Sequence, residues 1–418
     1  MYNKEIIKLS FLGDVMCEAI QINAHYNERE GEYDFHEIFS DVADFFHDSD
    51  WVTANLETPV AGKALGYTGY TNEKWSFNTP LEFVKALKNS GVDLVSTANN
   101  HCLDRGVEGL RGTLEALDSC GLAHIGTYID KNTPRYIIKD IKGCKIAYMS
   151  YTYGTNAFHN HNYLSKKERH MVNLLQNQEL TGLYSRILYT EQNNFLLKIL
   201  KRLISFFYHC LSIHIPPVYE CNESNRYWRR KIRKEIKMCK KDGADFIAFC
   251  MHEGGQFSDN PKRRTIKNAE FLIKNGVNAV IGNHEHLVHP VDFSLIEKNV
   301  LKVYAQGNFT SIYGVYETPP EGFGKMPEYS VLINLYLIKK DGKAKIQRCT
   351  FSILKSVPLS QNKIKTVFLY DLINNCLDPE EKEKLMNDNL KLVNVVTGKN
   401  YQEISCDREY MLKGEDSL

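Results

Sequence analysis

The sequence predicts an α/β or layered αββα protein. Two observations carry this reading. Short apolar runs alternate with helix-patterned segments through residue 310, and most of those runs end in Asp, Glu, Asn or His. The strand expectations, in order, are Ile7–Leu12, Trp51–Ala54, Leu94–Thr97, Lys145–Tyr151, Phe246–Met251, Ala279–Ile281 and Leu301–Ala305. Between them, Thr79-Pro80 and Asn260-Pro261 each read as an N-cap followed by proline at the first helical position. Gly91 and Gly276 stand where helices end.

Residues 155 to about 226 break the rhythm. The stretch is polar and aromatic, then apolar and basic, and it lacks the Gly/Ser or Pro/Gln bias of a linker. It reads as a mainly helical insertion. Its segment Leu196–Phe207, with Lys198, Lys201 and Arg202, suits a lid over a cleft or, through 195–218, contact with a membrane surface. After residue 325, Tyr329–Ile338 and Ala344–Ile353 read as a β-hairpin turning at Asp341-Gly342, and the charged tail from Asp378 reads as helical. The expected division is a core over 1–325, carrying the insertion, and a segment over 326–418 that completes the sandwich.

The 418 residues are 43% hydrophobic and 25% charged, ordinary for a globular chain, with a net charge of +1. Nothing global points to nucleic acid, and a polyanion would have to be held by local features. The 11 cysteines contain no C-x-x-C pair, as expected of reduced thiols in a cytoplasmic protein. No secretory signal is visible. No uncharged stretch reaches the roughly 20 residues of a transmembrane helix; the nearest, Leu203–Val218, is interrupted by Pro216-Pro217.

The chemistry follows the strands. Asp14 comes after the first, Asn55 and Glu57 after the second, and Asn99, Asn100 and His101 after the third. His252 ends the fifth, His284 and His286 follow the sixth, and Asn308 follows the seventh. Ligands bind where such carboxyl ends converge. A set of imidazoles, carboxylates and amides without cysteine suits manganese, iron or zinc, and magnesium less well. The set exceeds what one ion can use, so two divalent ions ~3.5–4 Å apart are expected, with Glu57 as the natural bridge. Each piece has a plainer reading as a turn aspartate, a cap or a core histidine; their conjunction is the signal. His284 and His286 share a face if they lie on a strand and chelate if they lie in a loop. Asn55, Asn99, Asn308 and Arg263 are the expected substrate contacts, Arg263 from the Lys262-Arg263-Arg264 run at the rim, which otherwise reads as a solvated face. Tyr151–Asn156 either lines the pocket or packs.

At these residues the chain resembles the CapA family of capsule or poly-γ-glutamate synthesis proteins, relatives of calcineurin-like metallophosphoesterases. The matching segments are Phe11–Met16, Ala54–Pro59, Ala98–Asp104 with Gly106, Gly109 and Leu110, His252 with Gly254, Gly282–His286 with Pro290, and Tyr304–Phe309. The resemblance implies a four-layer αββα sandwich with a dinuclear site. In it Asp14 and His286 hold the first ion, Glu57 bridges, and Asn100, His252 and His284 hold the second. His101 stands near the substrate as general acid or as a donor to developing negative charge. Two departures stand out: Met16 where metallophosphoesterases generally have histidine, and Gln256 where the family usually has glutamate. His289, where the family often has glutamine, reads as structural. The implied function is a metal-dependent hydrolase or transferase acting on a phosphoester, or on an amide or ester of an anionic polymer, beside capsule-synthesis machinery. The other reading is a non-catalytic binding subunit of a synthesis or export complex.

Overall fold

In the computed structural model, the residues described are 5–67, 76–178, 225–318, 326–340 and 342–413. The strands are β1 (Ile7–Val15), β2 (Tyr26–Asn27), β3 (Glu32–Tyr33), β4 (Trp51–Leu56), β5 (Leu94–Ser96), β6 (Ala123–Ile125), β7 (Ile137–Ile141), β8 (Cys144–Thr152) and β9 (Phe246–His252). They continue with β10 (Ala279–Asn283), β11 (Val291–Asp292), β12 (Leu301–Val303), β13 (Asn308–Thr310), β14 (Tyr329–Lys340), β15 (Lys343–Pro358), β16 (Ile364–Phe368) and β17 (Tyr410–Lys413). The helices are α1 (Ala19–Ala24), α2 (His36–His47), α3 (Leu81–Asn89), α4 (Gly106–Ser119), α5 (Ala157–Asn160), α6 (Asn225–Lys241), α7 (Arg263–Lys274), α8 (Leu369–Asn375) and α9 (Pro379–Thr397).

Two mixed sheets face one another. The first runs β16-β15-β14-β1-β4-β5-β6, with β13 beside β1 and β17 beside β15. The second runs β11-β12-β10-β9-β8-β7. Period-two alternation decides which side chains meet. Leu9 and Phe11 of the first sheet join Ile146, Tyr148, Ala248 and Ile281 of the second in the central core. Their neighbours turn outward. Leu12, Val52 and Val95 receive Phe39, Val42, Phe83 and Leu87 of α2 and α3. On the far side Met149, Phe249 and Val280 receive Ile232, Ile236, Ala269 and Leu272 of α6 and α7. The result is the αββα stack. Each such buried Val, Leu, Ile, Phe or Met side chain contributes roughly 1.5–3 kcal/mol.

The elements depart from the sequence reading at their ends. β1 runs through Asp14 to Val15 rather than stopping at Leu12, because its last residues pair with β13, Asp14 opposite Asn308. α3 begins at Leu81, with Pro80 extended at φ −61°, ψ 150°. The Thr79 hydroxyl does not cap it and instead meets Thr58 Oγ1 at 2.6 Å. α7 begins two residues after Pro261, since Lys262 is still extended. α9 follows simple capping rules: the Asp378 carboxylate accepts the Glu380 N–H at 2.9 Å, Pro379 opens the helix and Gly398 closes it at φ 65°.

The C-terminal hairpin places β14 against β1, from Ile7↔Leu337 to Phe11↔Ile333, so the last segment of the chain is continuous with the first sheet. Asp341 of its expected turn and the 195–218 segment lie outside the described residues. The described start of the insertion packs Leu164, Met171, Val172 and Leu174 onto Leu103, Leu110 and Trp228.

Candidate metal centre

The carboxyl ends of β1, β4, β5, β9 and β10 meet at one end of the sandwich. Asp14 arrives from β1, Glu57 one residue after β4, and His252 as the last residue of β9. The strands come close enough only because Gly13 has no side chain: a Cβ there would lie 2.0 Å from the Gly307 carbonyl oxygen. The carboxylates and histidines of the site are almost fully buried.

Two groups of potential ligand atoms form, Asp14, Glu57 and His286 on one side and Glu57, His252 and His284 on the other, each within 4.8 Å. Glu57 belongs to both. Neither of its oxygens has a hydrogen-bond donor; His252 Nε2 lies 3.3 Å away and His286 Nε2 3.9 Å. His284 Nδ1 and Asn100 Nδ2 are likewise buried without a partner. Burying a carboxylate with no donor is costly. A cation between the two groups would satisfy the Glu57 oxygens and His284 Nδ1 together, so the residues fit divalent metal. His284 and His286 occupy the turn after β10, at φ 116° and 59°. They are therefore loop ligands, one turned to each group.

Electrostatics follow from burial. Desolvation pushes the Asp14 carboxyl up to about 7, with the Glu57 charge adding to it, and pushes Glu57 up to about 7. The same desolvation lowers His252 and His286 to about 4, and holds His284 well below the ordinary imidazole value. These imidazoles are neutral at pH 7, the state a metal ligand needs.

A layer of polar groups aims the candidates. Asn55 donates to Asp14 Oδ1 at 2.7 Å, lies 3.2 Å from His252 Nδ1 and accepts from Ser96 at 2.8 Å. Asn100 Oδ1 is 2.7 Å from His252 Nε2. Asn308 meets His286 Nδ1 at 2.9 Å and the Pro327 carbonyl at 3.1 Å. Asn99 donates to the Leu56 carbonyl and accepts the His101 N–H, so its amide holds the turn together. Arg263 is exposed at the start of α7, outside the buried cluster.

Asp104 orients His101, a contact that its residue type alone does not reveal. Its Oδ2 holds His101 Nδ1 at 2.8 Å and also accepts the Phe77 N–H. The His-x-x-Asp spacing of the turn is the signal that could have found it. Desolvation alone would lower the His101 pKa, and the Asp104 charge and hydrogen bond reverse this to a net rise. The insertion buttresses the pair: Asn160 donates to Asp104 Oδ1 at 3.3 Å and Asn162 to the Leu103 carbonyl at 2.8 Å. Tyr153 does line the site, its ring 4.6 Å from that of His284. His289 is a framework residue, bonded to the Ser258 carbonyl.

Fold and site together define a two-sheet αββα protein with a candidate metal centre at the carboxyl ends of its strands. The chain matches the family described as bacterial capsule synthesis protein PGA_cap over residues 8–313, and it belongs to that family. It is 21% identical over 388 residues to the capsule biosynthesis protein CapA of Bacillus anthracis, covering 91% of this chain and 77% of that protein. It is 22% identical over 365 residues to the PGA biosynthesis protein CapA of Bacillus subtilis (strain 168), covering 87% and 76%. Among solved structures it is similar to the calcineurin-like phosphoesterase YfkN from Bacillus subtilis, with 15% identity, a TM-score of 0.42, and coverage of 84% of this chain and 91% of that one.

Proposed function

We propose that this chain is a metal-dependent hydrolase or transferase of capsule or poly-γ-glutamate metabolism, metallophosphoesterase-like in its chemistry, that cleaves or transfers a phosphoester or an amide or ester link of an anionic polymer. The observation that supports it is Glu57, a buried carboxylate without a donor, shared by two sets of ligand atoms. Two divalent ions of the manganese, iron or zinc kind, when bound, supply an activated water and polarise the substrate oxygen. Asp14 and His286 would hold one, Asn100, His252 and His284 the other, with Glu57 common to both. His101 carries the proton chemistry: Asp104 fixes its Nδ1, which leaves Nε2 to donate to the leaving oxygen. Asn55 and Asn308 keep Asp14, His252 and His286 in place.

Among the described residues no helix is long and apolar enough to cross a membrane. Nine described cysteines are free thiols, which supports a reducing, cytoplasmic setting. The relatives' names support a place beside capsule-synthesis machinery.

The test is metal content by mass spectrometry, with turnover of generic phosphodiesters and phosphomonoesters in Mn²⁺. Wild type should carry metal that the Asp14→Ala/His286→Ala double variant loses on that side; full metal content in the variant would sink the site. One observation favours a non-catalytic binding subunit instead: Met16, buried two residues after Asp14, offers that side only a weakly coordinating thioether. Polymer production by a His101→Ala strain at the wild-type level would decide for that reading.

A further inference from the structure

α6 has two working faces. Arg229 and Arg233 reach α7, at Asn268 and Asn275. Tyr227, Lys231, Lys234 and Met238 recur every three or four residues, so they share another side of the helix and face the loop that leads into β7. The cleft between that side and the loop encloses about 570 Å³, the size of a small-molecule site. No candidate ligand of the metal centre lines it.

Two buried charges of opposite sign stand in its wall, each incomplete. Arg135, from the loop, is 8% exposed. Its guanidinium lies 4.1 Å over the Tyr128 ring, and Nη2 donates to the Lys131 carbonyl at 3.1 Å. Nη1 is buried without an acceptor. Glu235, from α6, is 9% exposed, and its Oε2 is buried without a donor. Among the described residues the two form no ion pair with each other. Lys131, Arg230, Lys231 and Lys234 also line the cleft, and among the described residues none of them has a carboxylate within ion-pair distance. The second carboxylate of the cleft, Asp242, accepts the Tyr136 hydroxyl. Burial, with Arg135 and Arg169 nearby, lowers the Lys231 ammonium to about 8. The cleft is therefore short of negative charge. It also leaves apolar surface open, since Tyr227 is 36% and Met238 45% exposed.

We propose that this cleft binds a nucleoside diphosphate, with its phosphates on Arg135, Lys231 and Lys234, a ribose hydroxyl donating to Glu235, and its base against Tyr227 and Met238. The inference is separate from the metal-dependent reading. An unsatisfied guanidinium nitrogen beside unpaired ammonium groups calls for an oxyanion. An unsatisfied carboxylate oxygen among cations calls for a neutral donor such as a hydroxyl, because a cationic ligand group would be repelled by Lys231 and its neighbours. An exposed ring and thioether suit a flat apolar group. A nucleotide carries all three in one molecule. Inorganic pyrophosphate lacks the hydroxyl and the base, and a sugar phosphate lacks the base.

The experiment is isothermal titration calorimetry of the full chain with α,β-methylene-ADP, which resists hydrolysis. Lys231→Gln/Lys234→Gln should weaken binding about tenfold or more. Lys231→Arg/Lys234→Arg should keep most of the affinity, which excludes misfolding as the cause. A 2′,3′-dideoxy analogue should bind wild type about fivefold or more weakly, and Glu235→Leu should abolish that difference. Asp14→Ala/His286→Ala, which disables the metal centre, should bind the nucleotide as wild type does. So should Arg229→Gln/Lys267→Gln, on the α7 side of α6. Loss of binding in either control places the nucleotide elsewhere and overturns the cleft. Unchanged affinity in Lys231→Gln/Lys234→Gln overturns it as well. Equal affinity for pyrophosphate or ribose 5-phosphate overturns the assignment of a nucleoside.

Discussion

Glu57 offers several lone pairs to its surroundings and receives no donor. Without a cation it is a liability, and the sign of its effect on stability can be worked out. Its folded pKa is raised to about 7 from an ordinary 4.5, so the folded state holds the proton more tightly. The associated stability is complete below the unfolded value and is lost as pH rises through about 7. Glu57→Gln should therefore stabilise the metal-free protein at pH 8 by on the order of 1–3 kcal/mol, and hardly at all at pH 4. In Mn²⁺ the order reverses, because the variant cannot be clamped by metal. Thermal unfolding with EDTA and with Mn²⁺ reads both; wild type above the variant in EDTA at pH 8 would contradict it.

At the scale of elements, α2 is seated on the first sheet through Phe309, which stacks on Phe39 with centroids 5.9 Å apart and tilts against Phe46 at 5.7 Å. Phe309→Ala should cost roughly 3–5 kcal/mol in denaturant unfolding, and should also loosen Asn308 and, through it, His286. α6 gives a second pH effect. Burial raises Glu235 to about 8 from 4.5, with Arg135 only partly opposing. Stability from its neutral form is lost as pH rises between those values, so Glu235→Gln should gain on the order of 1–2 kcal/mol at pH 8.5 and nothing near pH 4. The strands were legible in the sequence because apolar runs buried between layers read directly as strands. Helix starts were less so, since Thr79 had a tertiary partner in Thr58 that local rules ignore. Each candidate ligand appeared as a residue type at a strand end. Which ligands face each other was hidden, because the turn after β10 points His284 and His286 apart through positive φ angles. Arg264 and Glu253 were also out of view: their pairing joins two segments that only the packing of α7 on the sheet brings together.

For the whole molecule, proton and metal binding are linked. Near pH 6.5 the coupled Asp14 and Glu57 pair is largely protonated, whereas His252 and His286, lowered to about 4, are neutral. Loading divalent metal should then release about one to two protons, and almost none at pH 9. Calorimetry in buffers of differing ionisation enthalpy measures this number; zero release at pH 6.5 would contradict the assigned carboxylates. Chelation should lower the melting temperature in step with metal occupancy.

Glu57 and Asp14 hang from the first sheet, while His252 and His284 hang from the second. Any ion held by members of both works like a rivet through two plates at one edge. The opposite edge is held with or without the rivet, by the apolar core and by the ion pairs of Lys142 with Asp50 at 2.7 Å and Lys339 with Asp245 at 3.7 Å. Metal-free protein should therefore gape at one end and stay shut at the other. Hydrogen exchange would register this as faster exchange at the carboxyl ends of β1, β4, β9 and β10, with their amino ends unchanged.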